Sequence, residues 1–175
     1  AQTLERIRDG GRAEFYEGET AKRIVSYVQE LGGILTLEDL KNYHSQWRTP
    51  ITFNYKNYTI SSMPLPSSGG ICLAQILKSV APYNIGKYPH NGEKYIQLLV
   101  EAERRAYADR AYYLGDPDFV KVPTEILLSP EYLKERMRSF SWDKASKSAE
   151  IAHGKIVGYE SDETTHYSIV DAQGN

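Results

Sequence analysis

Glu160-Ser161-Asp162-Glu163-Thr164-Thr165-His166-Tyr167-Ser168-Ile169-Val170-Asp171-Ala172-Gln173-Gly174-Asn175 is the stretch whose reading decides the fold. An acidic, polar run meets two threonines, and from there the side chains alternate. Thr165, Tyr167, Ile169 and Asp171 share one face; His166, Ser168 and Val170 share the other. That period of two describes a strand of about six residues. Ala172 to Asn175 then reads as the turn into a hairpin whose second strand is not in the sequence. A lone strand leaves an edge unpaired, so the chain is expected to be a piece of a larger fold.

Thr164 marks the start of that strand. Inside a chain its hydroxyl is a poor nucleophile. Cutting the Glu163–Thr164 bond would place a free α-amine, with a pKa of roughly 7.7–8.0, beside the hydroxyl as its base. This is the N-terminal threonine variant of nucleophilic catalysis. On composition alone, two threonines before a strand read first as ordinary β-formers. His166 lies on the face of Thr164 and Ser168, where it can orient a neighbour or bond across strands.

Upstream, residues 141–162 are rich in Ser, Lys, Glu and Gly, with few large apolar residues. They are expected to be extended, exposed and mobile. The rest reads as mostly helical. Thr3–Arg8 forms a short helix stopped by Gly10-Gly11. Glu19–Leu31 forms a second, with Ile24, Val25, Val28 and Leu31 on one side, ended by Gly32-Gly33. Thr36-x-x-Asp39 resembles a capping box with Asp in place of Glu. After Pro50, alternating Ile51, Phe53, Tyr55 and then Tyr58, Ile60 predict a hairpin turning at Lys56-Asn57.

Ser67-Ser68-Gly69-Gly70 opens a helix to about Val80, with Leu73, Ile76, Leu77 and Val80 at helical spacing. The longest helix starts at Asn91 or Gly92 and runs to about Tyr113, with Ile96, Leu99, Val100, Ala106 and Tyr107 as its apolar side. Gly115-Asp116-Pro117-Asp118 is a turn. Pro123 and Pro130 fall at helix starts, and Tyr132–Phe140 is the last substantial helix expected.

With 175 residues the chain can bury a real core. Lys and Arg (21) nearly balance Asp and Glu (23) and are scattered, so no basic footprint for nucleic acid is present. No apolar run reaches the length of a membrane span, and the first residues have no apolar core of a signal peptide. The single cysteine, Cys72, excludes a disulfide within the chain and sits in an apolar helical run, as a buried thiol does. His44, His90, His153 and His166 share no metal-ligand spacing. Ser67-Ser68-Gly69-Gly70 can cradle an anion on helix-start amides, or simply cap the helix and let backbones pack closely. Glu101, Glu103, Arg104, Arg105, Asp109 and Arg110 lie on or beside the long helix, where Glu101–Arg105 is an i,i+4 pair. Buried ion pairing from this helix to the Gly115–Asp118 turn is the structural reading. Paired carboxylates for glycoside chemistry are the functional one, with no sign of a cleft between them.

Taken in order, several of these stretches resemble the gamma-glutamyltranspeptidase family. They are Phe15-Tyr16-Glu17-Gly18, Gly32-Gly33 through Thr36-Leu37-Glu38-Asp39-Leu40, and Met63-Pro64-Leu65-Pro66-Ser67-Ser68-Gly69-Gly70. Glu101-Ala102 through Ala108-Asp109-Arg110, Leu114 through Phe119, and Thr164 through Asp171 complete the series. Each is weak alone; the ordered set is specific.

The resemblance implies an α+β fold: a fragment of the αββα sandwich of N-terminal nucleophile hydrolases, mostly helical here, with a short hairpin and a C-terminal strand. It implies that residues 1–163 are the C-terminal part of a large subunit, with 141–163 an exposed linker before the cleavage site. Residues 164–175 would then begin the small subunit. Thr164 is the implied nucleophile, freed by self-cleavage of Glu163–Thr164, and γ-glutamyl compounds such as glutathione are the implied substrates. The acyl group would pass to water, an amino acid or a peptide. A secreted or periplasmic setting is implied, with the rest of both subunits as partners and with no cofactor or metal.

Pro64-Leu65-Pro66 departs mildly from the family's usual triple proline. The family's second active-site threonine, oxyanion glycines and substrate-gripping residues fall outside this sequence, so the chain alone is expected to be inactive. A poly-γ-glutamate capsule transpeptidase and a cephalosporin-acylase-like enzyme share the same nucleophile and remain open, as does a non-catalytic scaffold or interaction domain.

Overall fold

A computed structural model describes residues 2–159. The C-terminal strand expected at 165–171 lies outside the described residues. The chain divides into two compact units, residues 1–47 and 48–175.

The first unit is helical: α1 (Gln2–Tyr16), α2 (Glu19–Glu30) and α3 (Leu37–Asn42). The predicted stop at the glycine pair is a break within α1. Gly11 takes φ 56° and ψ -142°, and helix resumes beyond it. The start of α2 has Gly18 at its cap, which offers no side chain. Glu14 serves instead: its carboxylate accepts from the amides of Glu19 (3.3 Å) and Thr20 (3.0 Å), the Thr20 hydroxyl (2.8 Å) and Arg6 Nε (3.0 Å). Those bonds hold the Glu14 carboxyl below its ordinary range, that from the Thr20 hydroxyl most of all. The predicted box at α3 forms: Asp39 N donates to Thr36 Oγ1 (3.1 Å), and Thr36 N to Asp39 Oδ2 (2.8 Å). Thr20, Ala21 and Val25 are buried along α2, whereas Leu31 is exposed.

The second unit holds the antiparallel hairpin β1 (Ile51–Tyr55) and β2 (Tyr58–Ser62), with Tyr55 opposite Tyr58 across the two-residue loop Lys56-Asn57. Lys56 has φ 53°, the left-handed conformation such a tight turn demands. The helices α4 (Gly69–Val80), α5 (Glu93–Tyr113), α6 (Thr124–Leu127) and α7 (Pro130–Arg136) follow. The last is shorter than predicted: the Ser129 hydroxyl caps its start by accepting from Tyr132 N, and Met137 is its C-cap. Gly70 is where α4 meets the hairpin. A Cβ there would sit 2.4 Å from the Met63 carbonyl oxygen and 3.2 Å from Ile51 Cβ, so only glycine permits the approach.

Two apolar clusters flank a polar layer. Val80, Leu98, Ala102 and Met137 form one, with Tyr83, Phe140 and Trp142 packed on it. Tyr113, Leu127, Tyr132 and Leu133 form the other, with Tyr112, Ile156 and Tyr159 against it. The long helix α5 runs through both. Its buried stripe is Leu98, Glu101, Ala102, Arg105, Ala106, Asp109 and Tyr113. The predicted apolar side therefore needs correction: Ile96, Val100 and Tyr107 are exposed, and on α4 Leu73 is exposed while Ile71, Cys72 and Ala74 are buried. Burial follows the packing partners in the second unit, and the α5 side that meets them carries ionised residues.

Candidate functional site

Thr164 and His166, the residues on which the sequence reading concentrates, lie outside the described residues. What the structure describes is the chain that leads up to them.

Its centre is the polar layer of α5. Glu101, Arg105 and Asp109 are each at most 2% exposed. Arg105 Nη1 donates to Glu101 Oε2 (2.5 Å) and to the Glu101 carbonyl (2.8 Å). Its Nε reaches the Arg136 carbonyl (2.8 Å) and its Nη2 the Ser139 hydroxyl (2.9 Å), so all three guanidinium nitrogens are engaged. Glu101 Oε1 accepts from Ser146 N at 2.7 Å. Burial pushes the Glu101 carboxyl up, but the bonds from Arg105 and Ser146 outweigh it, and the net displacement is downward.

One turn on, Asp109 meets Arg136 through two contacts, Nη2 to Oδ1 at 3.1 Å and Nε to Oδ2 at 3.2 Å. Gln75 Nε2 donates to Asp109 Oδ2 and to the Leu127 carbonyl, both at 3.1 Å. The expected ion pairing from this helix exists, but its partners differ. Asp109 pairs with α7, and the turn at Asp116–Asp118 is held by Arg48, which bonds Asp118 and lies 3.9 Å from Asp116. The bond from Arg48 depresses the Asp118 carboxyl.

The segment after α7 is tied to this layer. Residues 141–159 contain no regular element beyond a single 3-10 turn, Ser148–Glu150, and most of them are exposed. Within the described part of the expected 141–163 linker, however, the chain is fastened. Ser146 is held by Glu101 and by Arg104, which reaches its carbonyl. Gly154 N donates to Asp109 Oδ1 at 2.8 Å, and its carbonyl accepts from the Tyr113 hydroxyl. His153 lies flat on Tyr112, ring centroids 3.6 Å apart and planes 8° from parallel. Burial and the Asp109 charge raise the Tyr113 and Tyr132 hydroxyls above ordinary tyrosine, so both stay protonated; Tyr113 donates to Gly154, while the buried Tyr132 hydroxyl has no hydrogen-bond partner among the described residues. Sequence reasoning missed Gly154 and His153. The composition of the segment pointed to solvent, and only the i, i+3, i+4 grouping of Asp109, Tyr112 and Tyr113 on one helix face could have suggested a docking surface.

Arg110 Nε donates to the Ser68 hydroxyl (2.9 Å), and Gly69 N to Ser67 Oγ (3.4 Å). The Ser-Ser-Gly-Gly start of α4 is thus engaged within the protein. Cys72 is buried, and burial raises its thiol. His90 packs edge-on against Tyr95. Among the described residues no grouping of His, Cys, Asp and Glu could hold a metal ion, and no helix is long and apolar enough to cross a membrane.

The family model described as gamma-glutamyltranspeptidase matches residues 1–175. The glutathione hydrolase proenzyme of Escherichia coli is 46% identical over 175 residues, covering all of this chain and 30% of the relative. The chain thus spans about a third of the length of the curated relatives it matches. Among solved structures, Helicobacter pylori gamma-glutamyltranspeptidase is 37% identical with a TM-score of 0.79, over 93% of this chain and 46% of that one. The cephalosporin acylase of Bacillus halodurans is 30% identical with a TM-score of 0.68, over 81% and 26%. With a family model matched from end to end and architecture shared with its solved members, this chain belongs to the gamma-glutamyltranspeptidase family.

Proposed function

We propose that the protein to which this chain contributes transfers and hydrolyses γ-glutamyl groups, using Thr164 as nucleophile after self-cleavage of the Glu163–Thr164 bond. The observation that carries the reading is the Glu163-Thr164-Thr165-His166 junction, in a chain that matches the family throughout and has a 46% identical relative named a glutathione hydrolase proenzyme. Residues 1–163 would close the large subunit and 164–175 open the small one, with the strand at 165–171 entering an αββα sandwich.

In the precursor, the Thr164 hydroxyl attacks the Glu163 carbonyl carbon and the peptide nitrogen leaves as the new α-amine. The resulting ester is hydrolysed by water, which returns the hydroxyl to Thr164 and leaves a carboxylate on Glu163. In the mature enzyme the α-amine takes the hydroxyl proton as oxygen attacks the γ-amide carbonyl of the donor. The amine product departs with that proton, and water or an amine acceptor releases the γ-glutamyl group. Donors aimed at the tetrahedral oxyanion supply the largest single stabilisation in such chemistry.

The test is the full-length protein assayed on a γ-glutamyl anilide, glutathione, poly-γ-glutamate and a glutaryl amide, beside a Thr164→Ala variant. Turnover of the anilide and glutathione, lost in the variant, supports the reading. Preference for the glutaryl amide would move the enzyme to acylase chemistry, the activity named for the Bacillus halodurans relative.

A further inference from the structure

A run of seven residues, 153–159, lies strapped across one patch of the second unit, just upstream of the junction. Both polar groups of the Gly154 backbone are taken by α5: its N–H by Asp109 at 2.8 Å and its carbonyl by the Tyr113 hydroxyl. His153 stacks on Tyr112 and meets the Tyr113 ring edge-on, 5.5 Å between centroids. Ile156 packs into the cluster of Tyr113, Leu127, Tyr132 and Leu133. The Tyr159 ring lies 5.0 Å from that of Tyr113, and its hydroxyl donates to the Lys121 carbonyl at 3.0 Å. The seat admits no side chain at 154, where a Cβ would come within 2.4 Å of the Tyr132 hydroxyl and 2.6 Å of Arg136 Cδ.

Ordering this segment costs conformational entropy at every residue, which its hydrogen bonds and the packing of Ile156 and Tyr159 offset. The distance to the junction suggests what the fixation serves. Tyr159 and Thr164 are five residue steps apart, so the covalent chain allows at most roughly 18 Å between their Cα atoms. Self-cleavage needs a hydroxyl held at attack distance from one carbonyl carbon. Misplacement by about 1 Å can cost such a reaction on the order of a hundredfold.

We propose that the 153–159 strap is the positioning device for self-cleavage. Asp109, Tyr112 and Tyr113 hold it and act as positioning residues for the cleavage step. The inference rests on the reading that Thr164 cuts the Glu163–Thr164 bond, and it adds the part of the molecule that presents the bond.

The experiment times conversion of the full-length precursor into two chains, by gel and intact mass, in two variants. Tyr113→Phe keeps the ring and removes the bond to Gly154. Insertion of Gly-Gly between Tyr159 and Glu160 leaves the strap seated and loosens the tether to the junction. Both are expected to slow conversion by about tenfold or more, while the cleaved enzyme recovered from each keeps kcat and KM within about twofold of the parent. Conversion at the parental rate in both variants overturns the proposal. So does a fall in mature kcat proportional to the slowing, because the strap would then support the mature fold instead. A Thr164→Ala precursor run alongside separates the two levels. If it is still cut, the nucleophile reading fails, whatever the strap variants do.

Discussion

Truncating Glu101 to alanine should be among the most damaging single changes in the second unit. Its carboxylate is 2% exposed and is the counter-ion of Arg105, itself 2% exposed. Removing it leaves the guanidinium with its bonds to the carbonyls of residues 101 and 136 and to Ser139, but with no neutralising charge at 2.5 Å. Breaking one side of a buried pair costs about 3–5 kcal/mol, because the remaining charge stays desolvated. The Ser146 amide also loses its acceptor, though it lies near enough to the surface for water to replace part of that bond. The urea midpoint of the full-length protein should fall by that loss divided by its m-value, which grows with the surface exposed on unfolding. Glu101→Gln, which keeps the shape and an acceptor for Ser146, should cost less. The double change Glu101→Met with Arg105→Met should recover most of the loss, since an apolar pair of similar volume removes both desolvation penalties. Urea denaturation of Glu101→Met, Arg105→Met and the double variant, followed by fluorescence, gives the coupling energy directly. Additive single and double effects, or a midpoint unmoved by Glu101→Ala, would refute the reasoning that this pair is desolvated and mutually compensating.

Three further outcomes are expected. The Glu101 carboxyl titrates below its unfolded value, so its contribution is fully present above about pH 4.5 and is lost as pH falls through the lower folded pKa. Urea midpoints measured from pH 7 down to pH 3 should fall in that acid window, less steeply in Glu101→Gln. Gly70→Ala forces a Cβ against the Met63 carbonyl at 2.4 Å and should destabilise by about 1–3 kcal/mol, read from thermal melts. Cys72, buried and with its thiol raised by burial, should resist alkylation at pH 7.5 in native buffer and react fully in guanidinium, as peptide mapping would report.

The readable parts of the sequence were those with local causes. The Lys56-Asn57 hairpin, the Thr36–Asp39 box and the opening of α4 each depend on a few adjacent residues, and each formed as read. The faces of α4 and α5 did not follow their apolar periodicity, because facing partners decide burial. On α5 the buried stripe contains Glu101, Arg105 and Asp109, which a hydrophobicity pattern assigns to solvent. The same blind spot hid the strap. Ser, Lys and Gly look solvated until a distant helix supplies an acceptor for the Gly154 amide and a ring for His153. Thr164 stands out only through the ordered family motifs, since two adjacent threonines have no chemistry of their own.

The central claim is that Thr164 is made by cleavage and then does the chemistry. The direct measurement is intact mass and N-terminal sequence of the purified full-length protein beside its Thr164→Ala variant. The account predicts two chains in the parent, the second beginning Thr164-Thr165-His166, and one uncut chain without γ-glutamyl turnover in the variant. A single uncut parent chain that still turns over a γ-glutamyl anilide, or a new N-terminus elsewhere, would contradict it.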